Sequence, residues 1–296
     1  MELTGVFAAI TTPFNPAGDL QLDRLNQNLA AYQRTSLAGY LVLGSSGEAI
    51  CLDREEKIAV LREAAAAGRG KILLAGTAEE SLRGTLDMTE QAAKFGYLAA
   101  VVRTPHYYKK AMTHAAFCAY YRELADRAAL PILMYNIPPL TGVDLALDTI
   151  LELAQHPRIV GLKESSGNMD KLVRLTAAQP RLAVLVGGAS TLYPSLCAGA
   201  SGAILALGAA APEACCRIER AFRAGDAAGA SQAQHAVLAA LRAFEPHSIA
   251  GLKAAVDAGG YFGGPPRLPQ LPVSDAARAA IHAAMAGLGQ SSSAAR

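Results

Sequence analysis

Short apolar runs rich in branched and aromatic residues alternate along the chain with longer alanine-rich stretches of helical character. The short runs are "GVFAAITTP" (5–13), "GYLVLGSS" (39–46), "KILLAGT" (71–77), "YLAAVVRTP" (97–105), "PILMYN" (131–136), "RIVGLKES" (158–165), "LAVLVGG" (182–188) and "GAILAL" (202–207). Runs of this kind, nearly continuous in apolar character and bounded by Gly, Pro or Ser, are how strands covered on both faces read. Between them the start and stop residues predict helices from Asp23, from Asp53 to a stop at Gly68, over 79–95, 113–128, 147–155 and 168–178, and at 212–223. Eight strand-helix pairs in about 220 residues predict an α/β chain folded as a (β/α)8 TIM barrel.

Residues 1–223 form the catalytic barrel in this reading, and 224–296 a C-terminal helical extension. The extension comprises helical 227–244, helical 248–260, a Pro/Gly connector at 263–272, a final helix from about Ser274, and a frayed tail in "GQSSSAAR".

Composition narrows the function. The 296 residues are 52% hydrophobic, ample for a sizeable core. Lys and Arg number 27 against 25 Asp and Glu, scattered without a basic tract, so nucleic acid is not an expected partner. No apolar run approaches the roughly 18 residues of a membrane span, and "MELTGVFAAITTPF" lacks the pattern of a signal peptide. A cytoplasmic protein with no membrane partner is expected. The five cysteines include the adjacent Cys215 and Cys216 but no C-x-x-C, and read as reduced core residues. The six histidines show no H-x-H or H-E-x-x-H spacing, so no metal is expected in the chemistry.

In a barrel, chemistry belongs at the C-terminal ends of the strands. There the chain places Ser45, Ser46 and Glu48, then Tyr107 and Tyr108, Tyr135 and Asn136, and finally Lys163 and Ser165. Lys163 interrupts the apolar run "RIVGLKESSG". A lysine in a covered strand is either paired with a buried carboxylate or desolvated, and desolvation favours the neutral, nucleophilic amine. Facing a carbonyl, such an amine forms a Schiff base, an electron sink for making or breaking the adjacent carbon–carbon bond. Tyr135, on the neighbouring strand, suits the proton shuttle, with Ser45 and Tyr107 completing a relay; the alternative for Tyr135 is a satisfied core aromatic. The hydroxyls and N–H groups of "GSSG", at Ser45, Ser46 and Gly47, can hold a carboxylate, unless this is an ordinary strand-to-helix turn.

In order and spacing, "GYLVLGSSGEA", "TPHYYK", "YNIPPLTGVD" and "IVGLKESSG" resemble the dihydrodipicolinate synthase and N-acetylneuraminate lyase superfamily of pyruvate-dependent aldolases. The resemblance covers essentially the whole chain. It implies that Lys163 forms an imine with pyruvate or another 2-oxo acid, with no other cofactor, and that Tyr135 moves the proton. It implies further that Ser45 and Ser46 bind the oxo-acid carboxylate, while the turn at Gly187 and a carbonyl of strand eight, that of Ile204, line the pocket. Tyr107 then joins the relay of a neighbouring subunit, which implies a homo-oligomer, a dimer of dimers.

Departures from the family pattern bear on the aldehyde partner. Dihydrodipicolinate synthases carry an arginine in "YN-x-P-x-R", where this chain has Leu140, and an aliphatic side chain does not replace a bidentate carboxylate clamp. Sialic acid lyases place an Asp-Glu pair where Ala189 and Ser190 stand. The remaining pattern is similar to 4-hydroxy-2-oxoglutarate aldolases, with Lys109 or Arg103 available to a distal carboxylate unless these are solvated loop charges. A sugar-acid aldolase or dehydratase using the same imine, a phosphorylated substrate held by "VGGAS", and a barrel that only senses a metabolite are the alternatives.

Overall fold

The computed structural model of the protein describes residues 3–178 and 180–290. Strands β1 (Gly5–Ala9), β2 (Gly39–Val42), β3 (Ile72–Gly76), β4 (Ala99–Arg103), β5 (Ile132–Asn136), β6 (Ile159–Glu164), β7 (Ala183–Val186) and β8 (Gly202–Leu205) pair in parallel and close into a barrel, β8 returning to β1. Helices α1 (Leu22–Tyr32), α2 (Arg54–Ala67), α3 (Leu82–Lys94), α4 (His114–Arg127), α5 (Leu147–Leu153), α6 (Met169–Ala177), α7 (Leu192–Cys197) and α8 (Pro212–Arg223) follow the strands in turn. Beyond them, α9 (Ala227–Phe244), α10 (Ser248–Ala258) and α11 (Asp275–Gln290) pack on one another, α9 also lying on α8. The fold is therefore the (β/α)8 barrel expected, with C-terminal helices added. Residues 291–296, most of the predicted frayed tail, lie outside the described residues.

Every strand is shorter than its run, because the ladder stops where the chain turns out of the barrel, and the Thr, Ser, Gly and Pro residues at the ends of the runs belong to the turns. The third helix begins at Leu82 rather than Glu79, since the Ser81 hydroxyl accepts from the amide of Gly84 and caps it there. Helix α7 carries Pro194 in its first turn, where a missing N–H costs nothing, and that proline hid it in the sequence. One-turn helices at Pro138–Thr141 and Leu207–Ala210 were too short to leave a period. Among the cysteines, Cys118, Cys215 and Cys216 are buried, but Cys51 is half-buried and Cys197 exposed, so the expectation of five core cysteines holds for three. Among the described residues, no helix is long and apolar enough to cross a membrane.

Two concentric cores follow from the period of two along each strand. Phe7, Leu41, Leu74, Val101, Leu133, Leu185 and Ile204 fill the lumen, while Val6, Val42, Ile132, Met134 and Leu162 meet the helices. Each fully buried large side chain contributes roughly 1.5–3 kcal/mol, so the lumen layer is a packed floor rather than a pore. Side chains beyond that floor, toward the C-terminal ends, have a mouth to face.

Candidate active site

Strands β5 and β6 set the centre of the site. Their register pairs Tyr135 with Lys163 and Asn136 with Glu164. Leu133 and Tyr135 belong to the lumen, so Lys163, level with Tyr135, projects there too, and its Nζ lies 4.2 Å from the centroid of the Tyr135 ring. Both side chains are buried, Lys163 at 4% exposure and Tyr135 at 5%. Among the described residues, no carboxylate stands within 4.0 Å of Lys163. The sequence alternative, a lysine paired with a buried acid, is thus not what the chain builds.

The acid next to it is spent elsewhere. Glu164 faces outward, where Asn136 Nδ2 donates to both of its oxygens at 3.0 Å and Lys171 approaches its Oε2 at 3.1 Å. Lys171 also donates to Asp144 Oδ1 at 2.7 Å, and Asn136 Oδ1 accepts from the amide of Leu145 at 3.0 Å. This buried network fastens the ends of β5 and β6 to the segment before α5. It fixes the register that juxtaposes amine and phenol and keeps Glu164 away from Lys163.

The turn after β2 is held from below. Leu43 (φ 58°) and Glu48 (φ 52°) bracket "GSSG" with left-handed backbone, a conformation that costs non-glycine residues of order 1–3 kcal/mol unless the surroundings impose it. Here they do. Thr12 Oγ1 donates to the carbonyl of Gly47 at 2.6 Å, Lys253 of α10 pairs with Glu48 Oε1 at 2.6 Å, and the amide of Arg267 donates to Glu48 Oε2 at 2.9 Å. Burial pushes the Lys253 ammonium below its ordinary pKa even though the charge of Glu48 pulls the other way. The C-terminal helices therefore brace the mouth loop.

Ser45, Tyr135 and Leu140 line a mouth cavity of about 520 Å³ together with Lys57, Arg103 and His106. Ser165 and Gly187 line a second cavity of about 220 Å³ with Glu164 and Val186, and Lys163 itself is in the lining of neither cavity. A Cβ at Gly187 would overlap Ser165 Oγ and come within 3.4 Å of Lys163 Cε, so glycine leaves the Ser165 hydroxyl its place beside the lysine. Ser165 Oγ itself is buried and, among the described residues, has no hydrogen-bond partner. Ser46 and Gly47 are buried in the turn behind Ser45, and Ile204 is sealed in the lumen floor, opposite Phe7 of β1. Leu140 stands at the rim, 61% exposed.

Tyr107 is not brought to Tyr135 within one chain. Its ring is 76% exposed and meets Tyr108 edge-on at 5.2 Å. Arg103 is held by Glu80 at 3.2 Å, while Lys109 lies exposed over Gly142, whose added Cβ would sit 2.9 Å from its Nζ. Sequence reasoning missed the bracing roles of Glu48, Asn136, Glu164, Lys171 and Lys253; the only signal was charged residues inside apolar or alanine-rich runs.

The closed barrel with a buried lysine and tyrosine on adjacent strands places the chain among TIM-barrel enzymes. It belongs to the Dihydrodipicolinate synthetase family, whose model matches residues 2–287. It is 33% identical over 285 residues to the 4-hydroxy-tetrahydrodipicolinate synthase of an Exiguobacterium species, covering 95% of this chain and 97% of that one. The L-threo-3-deoxy-hexylosonate aldolase of Hypocrea jecorina is 32% identical over 281 residues, with 90% and 89% covered. A probable mitochondrial 4-hydroxy-2-oxoglutarate aldolase of Emericella nidulans is 31% identical over 284 residues, with 94% and 92% covered. Among solved structures, YagE, a prophage protein of the same family from E. coli K12 in complex with pyruvate, superposes with a TM-score of 0.91 at 27% identity, over 97% of this chain and 99% of that chain. The chain is accordingly a carbon–carbon lyase of the pyruvate-dependent Schiff-base aldolase superfamily.

Proposed function

We propose that Lys163 forms the imine and that the enzyme reversibly cleaves a short 4-hydroxy-2-oxo acid, such as 4-hydroxy-2-oxoglutarate, into pyruvate and an aldehyde. The observation that carries the chemistry is a lysine 4% exposed, free of any carboxylate within 4.0 Å among the described residues, and 4.2 Å from the ring centre of Tyr135. The amine attacks C2 of the oxo acid, and Tyr135 gives its phenol proton to the departing hydroxyl, so that water leaves and a protonated imine forms. The Tyr135 phenolate then takes the proton of the C4 hydroxyl; the C3–C4 bond breaks, its electron pair moving into the protonated imine to give a neutral enamine, and the aldehyde departs. Protonation at C3 and hydrolysis then release pyruvate and restore Lys163.

Ser45 and Ser46 hold the oxo-acid carboxylate at the braced turn, and the unpartnered hydroxyl of Ser165 is free to meet substrate beside the amine. Gly187 shapes the wall, and the carbonyl of Ile204 meets the substrate from the floor. Tyr107, exposed in the single chain, completes the relay in the site of a second copy within a dimer of dimers. The reading places the enzyme in the cytoplasm, with no cofactor beyond the covalent imine.

Leu140 carries the substrate side: it puts an aliphatic group at the rim where the resembling synthases have a carboxylate clamp. A longer 2-keto-3-deoxy sugar acid is the second reading, favoured by the room in the 520 Å³ mouth cavity. Borohydride reduction in the presence of pyruvate, followed by peptide mapping, should leave a pyruvyl adduct on Lys163; its absence removes the mechanism. Specificity constants should then rank 4-hydroxy-2-oxoglutarate above 2-keto-3-deoxy sugar acids, aspartate semialdehyde with pyruvate, and N-acetylneuraminate. Any other order at the top replaces the substrate while leaving the imine intact.

A further inference from the structure

A second constellation of chemically capable side chains joins α4 to α5 on the outside of the barrel. His114 is the first residue of α4, Cys118 follows one turn later on the same face, and Glu152 comes from α5. His114 Nε2 lies 3.0 Å from Glu152 Oε2 and 3.8 Å from Cys118 Sγ, and one donor atom from each of the three falls within 4.8 Å of the others. Around a tetrahedral zinc ion, with nitrogen and oxygen at about 2.0–2.2 Å and sulfur at about 2.3 Å, neighbouring donors stand roughly 3.3–3.6 Å apart. Both separations from His114 Nε2 are within a few tenths of an ångström of that spacing before any ion is considered, and Cys118 and Glu152 lie within 4.8 Å of each other.

Surrounding groups orient the donors. Thr149 Oγ1 stands 2.9 Å from His114 Nδ1, so a hydroxyl able to give or accept a proton holds the ring's other nitrogen and turns Nε2 toward Cys118 and Glu152. Arg122 donates to Glu152 Oε1 at 2.6 Å, leaving Oε2 facing the cluster. Cys118 is buried while the side chains of His114 and Glu152 are 51% and 39% exposed, which gives an anchored sulfur with an open approach from solvent. None of the three lines the mouth cavity.

We propose that His114, Cys118 and Glu152 bind one divalent zinc-like ion, with water as fourth ligand, clipping α4 to α5 independently of the imine chemistry. Nitrogen, sulfur and a single carboxylate suit Zn²⁺ or Co²⁺ and not Mg²⁺ or Ca²⁺, which take oxygen ligands. On binding, the ion takes the place of the Cys118 thiol proton, which leaves to solvent. The H-x-x-x-C spacing is a single helical turn, and its third ligand is 34 residues further on, which is why histidine spacing alone did not disclose it.

The test uses the full chain, stripped with chelator and titrated with Co²⁺ alone, then with Zn²⁺ by equilibrium dialysis. Wild type should take up one equivalent, show a sulfur-to-cobalt charge-transfer band, and gain thermal stability with the metal. Cys118→Ser should lose the band, and both it and His114→Gln should bind Zn²⁺ more than about tenfold more weakly. Both variants should keep wild-type retro-aldol rates and their metal-free melting temperature, which separates lost ligation from lost folding. No charge-transfer band in wild type, or one that survives Cys118→Ser because it arises at another cysteine such as the exposed Cys197, overturns the site.

Discussion

Lys163 of β6 and Lys253 of α10 are alike in burial and ring contact and differ in their polar partners. Both are buried, at 4% and 0% exposure, and each sets its Nζ over an aromatic ring, 4.2 Å from the centroid of Tyr135 and 4.3 Å from that of Phe14. Lys253 also has Glu48 at 2.6 Å and donates to the carbonyl of Pro265 at 2.8 Å. Lys163 has neither. Desolvating an ammonium costs several kcal/mol, which an ion pair of good geometry offsets and a ring face offsets only in part. Burial and ring contact thus do not separate a lysine that holds the fold from one available for chemistry. The carboxylate does, and in β6 the alternation of faces decides where it goes: Glu164, adjacent in sequence, is on the far side with Lys171.

The largest effect should come from replacing Lys163. Lys163→Met should lower turnover by at least about 10⁴-fold, since in the proposed mechanism no other amine stands in for the nucleophile. Its melting temperature should stay level or rise, because an unpaired buried amine is exchanged for an apolar side chain of similar length. A melting temperature that falls as far as that of the corresponding Lys253 variant would show that Lys163 has a partner after all, and the comparison would collapse.

Tyr135→Phe should come next, keeping the borohydride-trapped adduct on Lys163 while losing about 10²–10⁴-fold in turnover, the usual range for a displaced acid-base group. Full activity in that variant would reduce Tyr135 to a ring beside the amine. On the other side of the comparison, Lys253→Met leaves Glu48 buried without its partner and should destabilise the chain by about 3–5 kcal/mol in denaturant unfolding. The double variant Glu48→Gln/Lys253→Met should recover most of that loss. If the double is as unstable as the single, the stabilisation lies in packing against Phe14 and not in the charge pair.

The order of these effects explains what the sequence could disclose. Strand count, barrel class and the placing of Lys163 beside Tyr135 on adjacent strands were legible because each depends on period and on position along a strand, both of which are local. The partners of Glu48 and Glu164 were not, since Glu48 meets Lys253 across about 200 residues and the outward network depends on which face each β5 and β6 residue takes. Helix α7 was hidden by Pro194, which reads as a breaker unless its place in the first turn is known. The exposed ring of Tyr107 follows from its place on the loop after β4, and only the resemblance, not any pattern in the residues themselves, assigned it to a second copy.

The smallest effect concerns that loop, where the charge pairing is exposed rather than buried. Glu80 accepts from the amides of His106 and Tyr107, each at 2.9 Å, and lies 2.8 Å from His106 Nδ1 and 3.2 Å from Arg103. Burial raises its carboxyl pKa, but the amides of Tyr107 and His106, with the His106 ring and the Arg103 guanidinium, outweigh this and hold it below the ordinary value. A carboxyl held down in the fold contributes stability that is fully present above its unfolded pKa, about 4.3, and lost as pH falls through the lower folded value. The anchor of residues 104–112 should therefore be constant near neutrality and weaken only below about pH 4. Hydrogen exchange in the loop should then rise ahead of exchange in the barrel strands. Glu80→Gln should loosen the loop by less than about 1 kcal/mol at neutral pH, because its side chain is 41% exposed and screened, and should flatten the acid response. Equal exchange in wild type and variant at both pH values would mean that the loop is placed by its own turn, and that charge matters to this site only where it is buried.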